Sequence, residues 1–245
     1  MMDKALAHKK VLIAGGASGM GLALARRCLD AGADVTIVGR NEARLRAAEE
    51  ALGRPATLAA VVADVSREDE VVKLFERVGG LDHVACTVAD IEGAYEFLPE
   101  LDLKAVQRAV DSKIYAPLLL AKHGVSKIGR DGSITFTSGI AAYRPSARGA
   151  AVAAVNAALE GLVRALAVEL APIRINAVSP GWVDTPIWAF VAGDRKDDVL
   201  GAMAKRLPVG RIGQPDDIAD AVRFLMGNGF TTGTVLHVEG GHRLI

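Results

Sequence analysis

The sequence predicts one open, doubly wound α/β sheet with helices on both faces, and three observations predict it. Short apolar runs alternate with stretches of apolar and charged residues at helical spacing along the whole chain. A glycine-rich turn joins the first apolar run to the first helix. The length of 245 residues, 51% hydrophobic and 24% charged, fits one large domain with a substantial core better than two small ones.

The elements follow in order. Val11-Leu12-Ile13-Ala14 reads as a buried strand, Gly15-Gly16-Ala17-Ser18-Gly19-Met20-Gly21 as the turn, and Leu22 to Leu29 as a helix that Ala31-Gly32-Ala33 ends. Asp34 to Val38 is a second strand and Asn41 to Leu52 a second helix. Thr57 to Val62 reads as strand, Arg67 to Val78 as helix, His83-Val84-Ala85 as a short buried strand, Leu103 to Lys122 as one long helix, and Ser133 to Phe136 as strand. An Ala-rich helix follows from about Gly149 to Leu170, then a strand Arg174 to Val178 and a loop opened by Ser179-Pro180-Gly181. A mixed segment from Pro186 to Leu207, a helix Asp216 to Met226 and a strand Thr234 to Val238 complete the chain. Strands separated by helices imply parallel pairing through right-handed crossovers, so the expectation is a single Rossmann-like domain over residues 1–245 with a seven-stranded parallel sheet. Its ligand belongs at the carboxyl ends of the strands.

Composition excludes several classes. Lys plus Arg, 29, equals Asp plus Glu, 29, so no global field draws the chain to nucleic acid or an anionic membrane, and a small-molecule ligand is expected. Two cysteines make no disulfide framework and have no metal-ligand spacing, and His83, His123, His237 and His242 are equally scattered, so no metal is expected and a reducing cytoplasm is the natural compartment. Met1 to Lys10 lacks the apolar core of a leader peptide, and no later apolar run reaches membrane-spanning length without Gly or charge.

The glycine turn places unpaired backbone N–H groups and the positive end of the helix dipole where a pyrophosphate would sit. Ser18 adds a hydroxyl, and Gly19 and Gly21 let a phosphate approach with no Cβ in the way. A tight turn that needs glycine for geometry alone is the plainer reading. After the second strand comes Val38-Gly39-Arg40-Asn41, where a carboxylate would favour a free ribose 2′-OH and a guanidinium favours a 2′-phosphate. Arg40 therefore points to NADP(H) over NAD(H), against a solvated arginine at a helix start. Asp64, in Ala63-Asp64-Val65, is either an acceptor for the adenine amino group or an N-cap.

These motifs together resemble the short-chain dehydrogenase/reductases from the first strand to the last. The family's Thr-Gly-x-x-x-Gly-x-Gly stands here as Ala14-Gly15-Gly16-Ala17-Ser18-Gly19-Met20-Gly21, its adenine-side Asp as Asp64, and its serine strand as Ile134-Thr135-Phe136-Thr137-Ser138. Its late motif stands as Arg174 to Gly181 continuing to Thr185-Pro186, and its C-terminal motif as Gly233 to Gly241. The resemblance implies cofactor contacts at Gly15, Ala17, Ser18, Gly19, Met20 and Gly21, and at Arg40, Asn41, Asp64 and Val65. It implies further contacts at Thr87, Pro180, Gly181, Val183 and Thr185.

The departures from the family concern proton transfer. The resemblance puts Val152 and Asn156 where the family has its Tyr-x-x-x-Lys pair, and Cys86-Thr87-Val88-Ala89 where it has Asn-Asn-Ala-Gly. Lys113 stands where the family has the helix asparagine of its proton relay. If desolvated, its ammonium has a depressed pKa suited to acid/base work; alternatively it snorkels or bonds helix carbonyls. Ser138 is expected to orient a substrate carbonyl, or else to cap a turn. Tyr143 is the nearest phenol, Cys86 reads as a buried small residue, and Trp182, Trp188 and Phe190 either line a pocket under a lid at residues 182–210 or simply pack it.

The expectation is an oxidoreductase moving hydride between NADP(H) and a small carbonyl/alcohol substrate with Ser138 and Lys113 in the proton chemistry. The competing expectation is a catalytically inactive NADP(H)-binding sensor or scaffold. The small apolar surface of Gly149 to Val155 permits close helix packing, and the resemblance implies a homodimer or homotetramer.

Overall fold

The structure, a computed structural model, describes residues 6–245. Of the stretch Met1 to Lys10 considered above, residues 1–5 lie outside the described residues. Seven strands form one sheet, β1 (Lys10–Ala14), β2 (Asp34–Gly39), β3 (Leu58–Val62), β4 (Leu81–Cys86), β5 (Ile128–Thr137), β6 (Arg174–Pro180) and β7 (Val235–Val238). Every pairing is parallel, in the order β3-β2-β1-β4-β5-β6-β7. The order reverses between β1 and β4, which is the topological switch point where such sheets bind ligands.

The helices are α1 (Gly19–Asp30), α2 (Glu42–Ala51), α3 (Glu68–Arg77), α4 (Leu103–Val110), α5 (Ala116–Gly124), α6 (Ala150–Glu169), α7 (Trp188–Val191), α8 (Lys196–Ala204) and α9 (Pro215–Gly227). Strand side chains alternate between two cores, as a pleated strand requires when both faces are covered. Leu12, Val84, Ile134 and Ile175 pack with Leu74 of α3, Leu120 of α5 and Leu159 and Val163 of α6. Val11, Ile13, Ile37 and Val178 pack with Leu24 of α1, Leu45 of α2 and Ile218 and Val222 of α9. Helix α6 has the length and hydropathy to cross a membrane, yet half of that stretch is buried and Glu160 and Gly161 interrupt it.

Local chemistry sets the element ends. Asn41 caps α2, its side-chain oxygen accepting from the Arg44 N–H at 2.9 Å, and Asp102 caps α4 by accepting from Lys104 N–H at 2.9 Å. Buried Arg174 holds the end of α9, donating to the carbonyls of Leu225 at 2.6 Å and Met226 at 2.7 Å.

Two expectations are corrected. The long helix Leu103 to Lys122 is α4 and α5 joined by a π-helical turn, Asp111–Tyr115. Pro117 accounts for it, because a proline in a regular helix has no N–H for the carbonyl four residues back, here that of Lys113, and its ring collides with it. The wide turn absorbs the conflict and turns Ser112 and Lys113 inward, both buried. The second correction is at Ser179-Pro180, which do not open a loop but end β6, where Ser179 pairs with His237 and Pro180 with Val238. Proline is tolerated at that terminal position because no further ladder bond needs its nitrogen.

Candidate cofactor and active site

The carboxyl ends of the central strands bring the motifs together. Gly15 leaves β1 at φ +85° and Gly19 opens α1 at φ +51°, conformations that suit glycine. A Cβ at Gly21 would lie 2.2 Å from the Gly15 carbonyl oxygen and 2.6 Å from Thr87 Oγ1, so the turn can close only around glycine. Thr87, leaving β4, ties the turn to the switch point by donating its hydroxyl to the carbonyls of Ala14 at 3.2 Å and Gly15 at 3.3 Å. Ser18 is the N-cap residue of α1 but makes no side-chain cap, and Ala17 and Met20 pack on the core beneath. Gly19 faces Thr185 and Pro186, at 3.5 to 3.6 Å from a Cβ built on it, so the segment after β6 lies over the turn.

Beyond the end of β2, where the sequence leads one to expect the adenosine, the sequence reading was incomplete. Arg40 Nη2 is 3.0 Å from Asp90 Oδ2 and Nη1 is 4.0 Å from Asp64 Oδ2. Asp64 caps no helix: its Oδ1 accepts from the Ser66 N–H at 3.0 Å and the Ser66 hydroxyl at 2.6 Å, and Val65 is buried beside it. Asn41 uses its side chain to cap α2. Asp90 directly follows Cys86-Thr87-Val88-Ala89, and that adjacency was the available signal.

On the far side of the switch point, Lys113 is buried, with Nζ donating to the carbonyl of Thr137 at 2.8 Å and of Ser138 at 3.3 Å. Burial pushes its pKa down to about 8, opposed by the nearby Cys86. Burial in turn drives the Cys86 thiol up to about 11, which fits a buried small residue and not a nucleophile. Lys113 and Ser138 are thus brought together, but through the main chain of Ser138. The Ser138 hydroxyl points elsewhere and donates to buried Glu160 Oε1 at 2.7 Å. Tyr143 donates to the other oxygen of Glu160, and that bond raises the phenol pKa. His237 stands edge-on to the Tyr143 ring, centroids 4.6 Å apart.

Glu160 is the residue that sequence reasoning missed. It continues the four-residue spacing of Val152 and Asn156 and so shares their face of α6, where all three are buried. Asn156 Oδ1 is buried without a hydrogen-bond partner, and its Nδ2 would lie 2.8 Å from a Cβ on Gly139.

The late motif closes the site. A Cβ at Gly181 would lie 2.6 Å from Glu239 Cα, so the chain can pass the end of β7 here only with glycine. Buried Val183 accepts from the Trp188 indole at 2.7 Å, and the Trp182 and Trp188 rings stack at 4.8 Å. These residues fit a dinucleotide: glycines stand where a Cβ would fill the cradle, the α1 N-terminus carries no side-chain cap, and a buried Asn156 oxygen stands without a partner.

A parallel sheet with such a cradle at its point of reversal defines a dinucleotide-binding α/β protein. A family model described as enoyl-(acyl carrier protein) reductase matches residues 15–243. The short-chain dehydrogenase/reductase ATR9 of Stachybotrys chlorohalonatus is 35% identical, over 95% of this chain and 96% of its own. The structure of the MalC reductase/Diels–Alderase of Malbranchea aurantiaca superposes with a TM-score of 0.91 at 31% identity, covering 100% of both chains. A small-chain dehydrogenase in complex with NADPH superposes at 0.83, with 32% identity over 97% of this chain and 99% of that one. The chain belongs to the short-chain dehydrogenase/reductase family, whose members are oxidoreductases that bind a nicotinamide cofactor.

Proposed function

We propose that the protein moves hydride between NADP(H) and a small carbonyl/alcohol substrate, with Lys113 holding the proton. The observation that carries this reading is the buried Lys113 ammonium at the end of β5, held by two carbonyl dipoles. A bound nicotinamide supplies or accepts the hydride. Gly15, Ser18, Gly19 and Gly21 hold the pyrophosphate with main-chain N–H groups, Arg40 takes the 2′-phosphate, and Thr185 borders the nicotinamide side. Lys113 gives a proton to the carbonyl oxygen during reduction and regains it from water. Ser138 has its single hydroxyl hydrogen on Glu160, so it serves the site by its main-chain carbonyl, which anchors Lys113.

NADP(H) preference is supported by Arg40 at the end of β2 and by the NADPH complex of the structural neighbour. Residues 182–210 form the substrate-side lid, supported by Thr185 and Pro186 lying over Gly19. An exposed Val168 on the apolar α6 supports a homodimer or homotetramer, and the unpaired thiols of Cys28 and Cys86 support a reducing cytoplasm.

A second reading, a cofactor-holding sensor or scaffold without turnover, is favoured by one observation: the hydrogen bonds of Lys113 and the Ser138 hydroxyl are already made within the protein. Calorimetric titration with NADP+ and NAD+, followed by absorbance of NADPH against a panel of small ketones and aldehydes, separates the two. Tighter NADP+ binding with NADPH consumption is the expected result. Binding without consumption leaves the second reading.

A further inference from the structure

We infer that Asp90 is an internal competitor for Arg40 that sets how tightly a ribose 2′-phosphate is held. The inference rests on the reading that this chain takes a nicotinamide dinucleotide, and it concerns the adenosine end of that same site.

Arg40 stands at the start of α2, outside the end of β2, and is more than half exposed, so its guanidinium is free to change partners. Asp90, on the loop after β4, is only 18% exposed and lies across the cleft at 3.0 Å. The loop is fixed, because the Asp90 N–H donates to the hydroxyl of buried Ser112 at 2.9 Å. The carboxylate therefore does not reach Arg40 by chance motion of an exposed side chain. Asp64, 4.0 Å from the guanidinium, has its other oxygen engaged by Ser66 and reinforces the negative character of the cleft.

A phosphate arriving at Arg40 meets two carboxylates on the same cation. It forms a bidentate charge-assisted pair with Arg40 only if Asp90 withdraws, because like charges a few ångströms apart repel. Asp90 has somewhere to go. Its Oδ1 is already 3.7 Å from Arg108 Nε on α4, and Arg108 is steadied by a 2.9 Å bond from Nη2 to the Glu92 carbonyl. The phosphate thus takes Arg40 while Asp90 passes to Arg108. A dinucleotide without the 2′-phosphate requires no such exchange and leaves the clasp closed. The clasp lowers NADP(H) affinity selectively, and the exchange with Arg108 limits how far.

Calorimetric titration of the full-length protein with NADP+, NAD+ and 2′,5′-ADP tests this, for the wild type, Asp90→Asn and Arg108→Gln. Asp90→Asn keeps the size of the side chain and removes its charge. It is expected to tighten NADP+ and 2′,5′-ADP about fivefold, the scale of a half-exposed ion pair, while NAD+ stays within about twofold. Arg108→Gln is expected to weaken NADP+ by a similar factor, since Asp90 then has no second cation. Thermal melts verify that both variants fold, and if one does not, the other decides. Equal NADP+ affinity in wild type and variants overturns the inference, as does an equal gain for NAD+, which would mean that Asp90 acts by shape. A wild type that binds none of the probes overturns the dinucleotide reading itself, so the two failures are told apart by the wild type alone.

Discussion

Lys113 places its ammonium 2.8 Å from the carbonyl oxygen of Thr137, inside the protein, where main-chain dipoles and not a carboxylate hold the charge. Dipoles compensate a buried cation less than an opposite charge does, so the proton is held more weakly than on a surface lysine.

The pH dependence of turnover follows. Carbonyl reduction needs Lys113 protonated, and its pKa is lowered from 10.5 to about 8. The turnover number for NADPH consumption is therefore expected to be flat below about pH 8 and to fall above it, approaching tenfold per pH unit. Lys113→Arg, whose side chain stays charged throughout, should lose the fall along with most of the rate. The measurement is kcat against pH at saturating NADPH.

Buried Glu160 accepts hydrogen bonds from two hydroxyls, that of buried Ser138 and that of exposed Tyr143. Glu160→Ala strands the buried Ser138 hydroxyl, while that of Tyr143 turns to water, and the expected cost is about 1–3 kcal/mol by urea unfolding. The Tyr143 phenol, raised by its bond to Glu160 and by burial, should then titrate at lower pH. Ultraviolet absorbance titration of the phenols checks this, with one of the three tyrosines moving.

His83 is buried on β4 with its Nδ1 2.9 Å from the Ser133 hydroxyl, and burial lowers its pKa to about 4 from 6.5. Between those values the unfolded chain binds a proton that the folded chain refuses, so stability is full above pH 6.5 and is lost as pH falls toward 4. The loss should reach roughly 2–3 kcal/mol, and it should be missing from the stability curve of His83→Gln, measured by urea unfolding from neutral to acid pH.

Gly21→Ala forces a Cβ to within 2.2 Å of the Gly15 carbonyl oxygen. The turn must shift, and cofactor-induced thermal stabilisation should disappear while the protein still folds, at a cost of about 1–3 kcal/mol. Gly201 in α8 meets nothing within 4 Å, so Gly201→Ala should keep cofactor binding. It should add up to about 1 kcal/mol from helix propensity.

The strand and helix alternation was legible because each strand is a short apolar run bounded by glycine or charge, and the glycine turn because its glycines have no sterically equivalent substitute. Three features were not. The π turn depends on Pro117 meeting Lys113 one turn back, which reads as an ordinary helix when periodicity alone is scored. Asp90 becomes a partner of Arg40 only once β2 and β4 end at the same edge of the sheet, 50 residues apart in sequence. Glu160 carries no motif of its own in the sequence, and only its hydrogen bonds from the Ser138 and Tyr143 hydroxyls make it a site residue. Ser138 itself was placed correctly at the strand end, but a sequence cannot tell which way a hydroxyl turns.

The most direct test of the central claim is the single-turnover rate of NADPH consumption by Lys113→Met beside the wild type, on the best carbonyl of the panel and with NADP+ affinity measured in parallel. The account predicts a fall in rate of about a hundredfold or more, with cofactor affinity within about threefold. A variant that consumes NADPH at the wild-type rate would contradict it and remove Lys113 from the proton transfer.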